Sequence, residues 1–300
     1  MTDRSRLGIL VPFAVVTLIW GSTWIVIRDQ LGVVPSSWSV TYRFTLAAVA
    51  MAGVALARDE RFAVDRAGWA FAGAVGLLQF CGNFNLVYRA EHFITSGLVA
   101  VVFALLLVPN ALLARVFLGQ RPGRRLLIGS GIAMAGVVAL FVHEARVDPH
   151  GTRASLTGIG YTLAAVACAS GANVLQATDT ARRYPMAATL AVAMGLGALT
   201  DGALAWVTTG PPVVEHRLGY WLGIAYLGLA ASALAFPLYY RVLRAIGPAR
   251  AAYSSVIVPV IAMALSTGYE GYRWTPLTIG GAALAGVGLA VALSARRPAR

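Results

Sequence analysis

Long apolar runs, separated by short segments containing arginine, proline and glycine, dominate this chain. Each run has the length of a membrane-crossing helix, which needs about 20 apolar residues, whereas a membrane-crossing strand needs only ~9–11. The runs cover residues 7–27, 36–57, 68–88, 94–118, 124–142, 155–176, 186–208, 218–240, 248–269 and 275–295. The pattern therefore predicts an all-α membrane protein with ten transmembrane helices.

The first run follows a short basic stretch, as a signal peptide does. It lacks a small-residue cleavage site, and it ends in the aromatic-rich Trp20-Gly21-Ser22-Thr23-Trp24 segment. We therefore expect it to remain as the first helix.

The distribution of charge indicates how the helices are oriented. Charged residues make up 12% of the chain and hydrophobic residues 58%, and the net charge of +12 comes from arginine alone. Because the arginines lie between apolar runs, they are better explained as topology signals than as a nucleic-acid surface. Sixteen of the 24 fall on the side that contains both termini and six on the other. We expect a multi-pass protein of the bacterial inner membrane with both termini in the cytoplasm.

The chain also repeats itself at an offset of 150 residues. The offset aligns glycines and prolines at equivalent places in runs one and six, two and seven, and so on. The aligned pairs are Gly21 and Gly171, Pro35 and Pro185, Gly73 and Gly223, Pro109 and Pro259, Gly131 and Gly281, and Gly136 and Gly286. A unit with five crossings enters the membrane upside down the second time. We predict two inverted five-helix repeats, 7–143 and 155–296, packed as one bundle.

Two prolines lie in the middle of corresponding runs. Pro109 in run four and Pro259 in run nine each remove a backbone N–H and are expected to kink their helices. Interrupted helices in corresponding positions of inverted repeats point to a central substrate site, although such kinks are also tolerated as packing features.

Two charges are predicted to lie deep in the membrane. Arg43 and Asp201 lie within runs two and seven, at similar depth on the periplasmic side of the midplane. Arg43 is suited to binding a carboxylate, and Asp201 to pairing with Arg43 or exchanging a proton. The alternatives are a structural ion pair or a snorkelling arginine, and a run that ends before Asp201 and leaves it in water.

Neutral polar and aromatic residues form a second group of candidate substrate contacts. They share helix faces within the apolar runs, but hydrogen bonding between helices and, for Trp24, an interfacial aromatic belt explain such residues equally well. The candidates are Trp20, Thr23, Gln79, Asn83, Asn173, Tyr239 and Tyr253. Cys81 and Cys168 have no metal-ligand spacing, and we expect neither a metal nor a cofactor.

Several motifs resemble those of the drug/metabolite transporter superfamily, in its EamA-type ten-helix branch. They are Trp20-Gly21-Ser22-Thr23, Pro35 with Arg43, Pro109 followed by Phe117-Leu118-Gly119-Gln120-Arg121, Gly247-Pro248-Ala249, Pro259 with Glu270, and Gly280-Gly281. Gln120 departs from the family, which usually has an acidic residue there. The resemblance implies a secondary carrier with a central cavity between the halves, generally an exporter of amino acids, other metabolites or drugs.

Other classes of protein fit less well. The four histidines lie in loops or at helix ends, and the chain has no Gly-x-Ser-x-Gly elbow and no Walker A loop, so we do not expect an enzyme or an ATP-driven pump. An importer or exchanger of a sugar or other metabolite stays open, as does a non-transport membrane protein. A monomer is sufficient for the expected site, whose partners are a small-molecule substrate and the lipid bilayer.

Overall fold

Ten long helices, joined by short loops, account for most of the residues that the computed structural model describes. The structure describes residues 3–62, 65–119, 123–147, 152–246, 251, 254–271 and 273–293. The helices are α1 Asp3–Asp29, α2 Ser36–Leu56, α3 Arg66–Ala90, α4 Ser96–Leu118, α5 Arg124–Val147, α6 Thr152–Gln176, α7 Met186–Thr209, α8 Leu218–Ala245, α9 Ser254–Tyr269 and α10 Pro276–Leu293. Each coincides with one predicted run, which confirms the all-α, ten-helix prediction.

Within the described residues, seven helices are long and apolar enough to span a bilayer, namely α1 to α4 and α6 to α8. In the other three, the described apolar residues cover Leu127–Gly136 in α5, Val258–Tyr269 in α9 and Pro276–Gly288 in α10. Helices α5 and α10, which lie at equivalent places in the two repeats, pack against each other.

The packing follows the twofold relation between the repeats. Helix α2 packs on α7, and α5 packs on α10. The contacts of α1 with α8 and α9 have their counterparts in the contacts of α6 with α3 and α4. Every one of these contacts joins the first repeat to the second, so the two repeats form a single bundle.

Small residues bring α5 and α10 into backbone contact. A Cβ atom added at Gly136 would collide with the backbone of Ala285, and one added at Gly288 would collide with the backbone of Ala133. Gly131, on the same helix as Gly136, has no such neighbour within 4 Å. Small residues at a helix interface allow backbones to approach this closely.

The middle segments of α3 and α8 are π-helical. The π segments cover Gly76–Asn83 and Tyr226–Leu234, which correspond almost residue for residue at the offset of 150. In a π-helix the N–H bonds to the carbonyl five residues back, a rare geometry that occurs mostly at functional sites. The sequence did not predict either segment.

The two prolines predicted to kink their helices differ in the structure. A single 3₁₀ turn, Ala104–Leu106, interrupts α4 just ahead of Pro109. Pro259 instead lies inside the α-helical segment Ser254–Tyr269. The longest helix irregularities in the described residues are therefore the π segments of α3, which contains no proline, and of α8, where Pro237 lies three residues beyond the segment.

Candidate functional site

A cavity of about 100 Å³ lies between the two repeats, where α1 to α4 meet α6, α8 and α9. Most of the predicted substrate contacts line it. They are Trp20, Thr23, Arg43, Gln79, Asn83, Asn173 and Tyr239, together with Pro259. The structure therefore brings together side chains that lie more than 200 residues apart in the sequence.

Arg43 is the charged group of the cavity and is only 1% exposed. Its Nε donates a hydrogen bond to the Ser232 hydroxyl at 3.1 Å, and its guanidinium carbon lies 4.2 Å from the centre of the Phe84 ring. Nη1 is buried and has no hydrogen-bond partner among the described residues. One edge of the guanidinium is therefore held in place, while Nη1 keeps a free donor.

The π segment of α8 positions the group that holds Arg43. Ser232 donates its hydroxyl hydrogen to the carbonyl of Leu227, five residues back, at 2.7 Å. The Ser232 oxygen is then available to accept from Arg43, so the irregular backbone of the second repeat fixes the charged side chain of the first.

The π segment of α3 supplies the amide groups of the cavity. Gln79 and Asn83 both lie in it, and both line the cavity. The Asn83 Oδ1 is buried and has no hydrogen-bond partner. It is an acceptor in the same cavity as the free Arg43 donor.

Trp24 adds a second free donor. The side chain is 8% exposed and lines the cavity, its ring centre lies 5.4 Å from that of Phe103, and its Nε1 is buried without a partner. The sequence left Trp24 equally well explained by an aromatic belt. The four-residue spacing from Trp20, which places both rings on one helix face, is the signal that favours the cavity.

Trp20 and Thr23 line the cavity with their polar atoms already paired. The Trp20 Nε1 donates to the Ala231 carbonyl at 3.1 Å, and the Thr23 hydroxyl donates to the Trp20 carbonyl at 2.8 Å. The Trp20 ring centre lies 4.8 Å from that of Tyr239, which in turn lies beside Asn173. These residues form an aromatic wall rather than a set of free hydrogen-bonding groups.

Asp201 lies outside the cavity and is not paired with Arg43, which was one of the two roles that the sequence left open for it. Its Oδ1 accepts from the Asn85 Nδ2 at 2.6 Å, and Asn85 Oδ1 accepts from the Ser37 hydroxyl at 2.6 Å. Asp201 is 0% exposed, and no ion pair joins it to Arg43 among the described residues. Similar depth did not bring the two charges together, because Asp201 faces α3 while Arg43 faces α8.

Two further predicted site residues do not line the cavity. Pro109 lies in α4 beyond the 3₁₀ turn and is not among the lining residues. Tyr253 lies outside the described residues.

The sequence missed the aromatic rings that surround the polar groups. Phe84, Phe103 and Phe236 line the cavity, and the Phe236 ring centre lies 5.3 Å from that of Trp20. A phenylalanine within an apolar run gives no sequence signal that separates a cavity from lipid or core. Among the described residues, no group of three or more His, Cys, Asp or Glu side chains could hold a metal ion.

Two inverted repeats around a central cavity with buried polar groups define the architecture of a secondary membrane carrier. The chain belongs to the EamA-like transporter family, whose model matches residues 7–142 and 156–294. This confirms the resemblance seen in the motifs, and it makes the protein a membrane transporter with a small-molecule substrate rather than an enzyme.

Known proteins of similar length support the same placement. Protein PagO of Salmonella typhimurium is 23% identical over 270 residues, which cover 89% of this chain and 86% of PagO. The "uncharacterized inner membrane transporter YedA" of Escherichia coli K12 is 26% identical over 281 residues, 90% of this chain and 86% of YedA. The "probable terminal-alkyne amino-acid exporter" of Streptantibioticus cattleyicolor is 27% identical over 275 residues, 88% of this chain and 86% of that protein.

A solved structure shares the fold. One crystal structure superposes with a TM-score of 0.70 at 21% sequence identity and covers 97% of this chain and 98% of its own. At that identity the likeness concerns the arrangement of the helices and carries no information on the substrate.

Proposed function

We propose that this transporter exports small amphipathic metabolites, such as amino acids or related compounds, by alternating access. The observation that carries the proposal is a set of three buried polar atoms at the cavity wall that have no hydrogen-bond partner among the residues that the structure describes. They are the Arg43 Nη1, the Trp24 Nε1 and the Asn83 Oδ1. Unpaired buried polar groups are costly, and a substrate that paired with them would repay the cost.

The three atoms suit a zwitterion. A substrate carboxylate would accept from Arg43 and Trp24, and a substrate ammonium would donate to Asn83 Oδ1. The aromatic rings would cover an apolar side chain. Among the described residues that line the cavity, Arg43 is the only cationic one, which disfavours a phosphorylated substrate.

The direction and the setting of transport rest on other observations. A relative is named as a probable amino-acid exporter and another as an inner membrane transporter, and the arginine distribution favours cytoplasmic termini. Inverted repeats around a fixed site support alternating access. Because one chain encloses the cavity, a monomer suffices.

Asp201 is our candidate for the group that binds and releases a proton during the transport cycle. It lies where α2, α3 and α7 pack together, and its second carboxylate oxygen, Oδ2, has no hydrogen-bond partner. A change in the packing of these helices would change the surroundings of this carboxyl and hence its affinity for a proton.

Efflux from proteoliposomes tests the proposal. The purified protein is reconstituted, loaded with amino acids, aromatic compounds or cationic drugs, and assayed with and without a proton gradient, with protein-free vesicles as the control. We expect the zwitterionic amino acids with apolar side chains to leave the vesicles that contain the protein faster than they leave the protein-free vesicles. If a correctly inserted protein moved only the cationic drugs, or no solute at all, the proposed substrate class would be wrong.

A further inference from the structure

A group of charged and polar side chains joins the two repeats at one end of the bundle. This is the end where α1 and α9 finish, which the sequence predicts to face the periplasm, and we call it the outer end. The Arg28 Nε lies 3.5 Å from the Glu270 Oε1, and Glu270 Oε2 accepts from the Ser96 hydroxyl at 2.6 Å. Arg28 also donates through Nη1 to the backbone carbonyl of Glu91. The bonds to Glu270 join α1 and the first residue of α4, in the first repeat, to the residue that follows α9 in the second.

The Glu91 side chain is the exception within this group. Glu91 is 0% exposed, yet neither of its carboxylate oxygens has a hydrogen-bond partner in the part of the chain that the structure describes. The nearest cation, Arg28, is already engaged with the Glu91 carbonyl and the Glu270 carboxylate. An ionised carboxylate in this position would be buried without compensation, which is far more costly than a neutral carboxylic acid.

The groups that face Glu91 do not offset this cost. The titratable groups around it are Arg28 of α1, Glu270 after α9, Tyr88 of α3 and the neighbouring His92. Tyr88 donates to Gln30, and His92 is hydrogen-bonded to Ser36. Burial raises the pKa of the Glu91 carboxyl well above its ordinary value, the charge of Glu270 raises it further, and Arg28 lowers it.

We propose that Glu91 is a proton-binding site whose occupancy closes the outer end of the carrier. The inference rests on the proposed alternating access, in which α1 and α9 must separate at this end. With the outer end closed, Glu91 is buried and holds a proton. When the end opens, water reaches the carboxyl, the O–H bond breaks and the proton passes to that water. A metal cation is disfavoured, because Arg28 is in the site and both Glu270 oxygens are already hydrogen-bonded.

The sign of the pH dependence follows from which state holds the proton. The closed outer end binds one more proton than the open one, so lowering the pH favours closure. The pH range concerned lies between the pKa of a hydrated glutamic acid, about 4.3, and the raised pKa of Glu91 in the closed state. Within it, the ratio of carriers with a closed outer end to carriers with an open one should fall about tenfold for each increase of one pH unit.

Infrared spectroscopy of the purified wild-type protein at neutral pH tests the protonation directly. We expect a carbonyl stretch of a protonated carboxylic acid that disappears in Glu91→Gln. It should persist in Glu215→Gln, a control in a neighbouring loop whose carboxylate accepts two backbone hydrogens. If the carbonyl region of protonated carboxylic acids were unchanged between wild type and Glu91→Gln, Glu91 would be ionised and the proposal would be overturned.

Distances between spin labels test the closure. Val33 and Tyr269, both exposed near the ends of α1 and α9, are changed to cysteine in a Cys81→Ala, Cys168→Ala background. We expect the short distance to gain population as the pH falls, and to dominate at every pH once Glu91→Gln is added. The proposal would be overturned by a distance distribution that does not change with pH, or by one that has the same pH dependence with and without Glu91→Gln. Neither measurement needs a substrate, so failure here is distinct from failure of the proposed transport.

Discussion

At the scale of single residues, Arg43 is the side chain whose loss should weaken binding most. Arg43→Gln removes the free Nη1 donor and the charge, and a charge-assisted hydrogen bond is worth about 1.5–3 kcal/mol. We therefore expect KM for a carboxylate-bearing substrate to rise roughly 10- to 150-fold in proteoliposome efflux.

The control for that change is Arg115→Gln. Arg115 is an exposed arginine near the end of α4 and does not line the cavity, so its KM should match the wild type. Equal KM values for Arg43→Gln and the wild type, with both proteins folded, would remove Arg43 from the substrate site.

Asp201 should affect coupling rather than binding, because it lies behind the cavity wall. Asp201→Asn keeps the size of the side chain and a carbonyl that can accept from Asn85, but it cannot release a proton. We expect efflux to continue while its dependence on the proton gradient is lost. Asp179→Asn, at an exposed position in the α6–α7 loop, serves as the comparison. A gradient dependence that survived in Asp201→Asn would assign the carboxyl a purely structural role.

The sequence predicted which polar residues lie deep in the bundle, because a polar side chain in an apolar run stands out. It did not predict which of them face one another. Arg43 and Asp201 share a depth, but depth along the membrane normal leaves the direction around each helix open. Trp24 shows the same limit, since an indole near a helix end suits either a cavity or an interface.

At the scale of helices, the contact between α5 and α10 should tolerate no added side chain. Gly288→Val would push a branched side chain into the Ala133 backbone, and overpacking of this kind typically costs about 1–3 kcal/mol. Gly131→Val adds the same atoms at a position where no described neighbour lies within 4 Å. This variant should have the same melting temperature as the wild type. Thermal unfolding in detergent measures the difference. Equal melting temperatures for the two variants would contradict the backbone contact seen here.

The π segments should matter for transport more than for folding. Deleting Ala233 would return α8 toward α-helical geometry and move Ser232 by one position relative to Phe236 and Tyr239, which turns its side chain by about 100° around the helix axis. Ser232 would then point in a different direction around the helix from Phe236 and Tyr239. We therefore expect efflux to fall at least tenfold, while the protein still elutes as a monodisperse species. Deleting Pro211, in the α7–α8 loop, is the matched control. Full activity after the Ala233 deletion would show that the π geometry is dispensable.

At the scale of the whole molecule, the arginine distribution and the odd number of helices per repeat make a prediction about topology. Val33→Cys and Val214→Cys, both exposed, should react with a membrane-impermeant maleimide in intact cells. The exposed Arg58→Cys and Asp179→Cys should react only after the cells are permeabilised. The opposite pattern would place the termini outside and reverse the assignment of the outer end.

The number, type and limits of the helices followed from the sequence because apolar length is a direct requirement of the bilayer. The inverted relation between the two repeats followed from the odd number of membrane crossings in each repeat. The π segments did not, because nothing in Gly76–Asn83 marks a change of hydrogen-bonding register, and Pro237, three residues beyond Tyr226–Leu234, does not by itself distinguish a π segment from a kink. The boundaries of the two repeats, 7–143 and 155–296, stay a prediction.

The matched π segments also bear on ancestry. Both repeats have the irregular backbone at the same place, but at the offset of 150 Arg43 corresponds to Ala193 and Asn83 to Ala233. The simplest history is that the distorted third helix was already present in a single five-helix ancestor, and that gene duplication came before the polar chemistry. One copy then acquired the charge, while the other supplied the serine that holds it. The backbone defect is thus older than the specificity built around it.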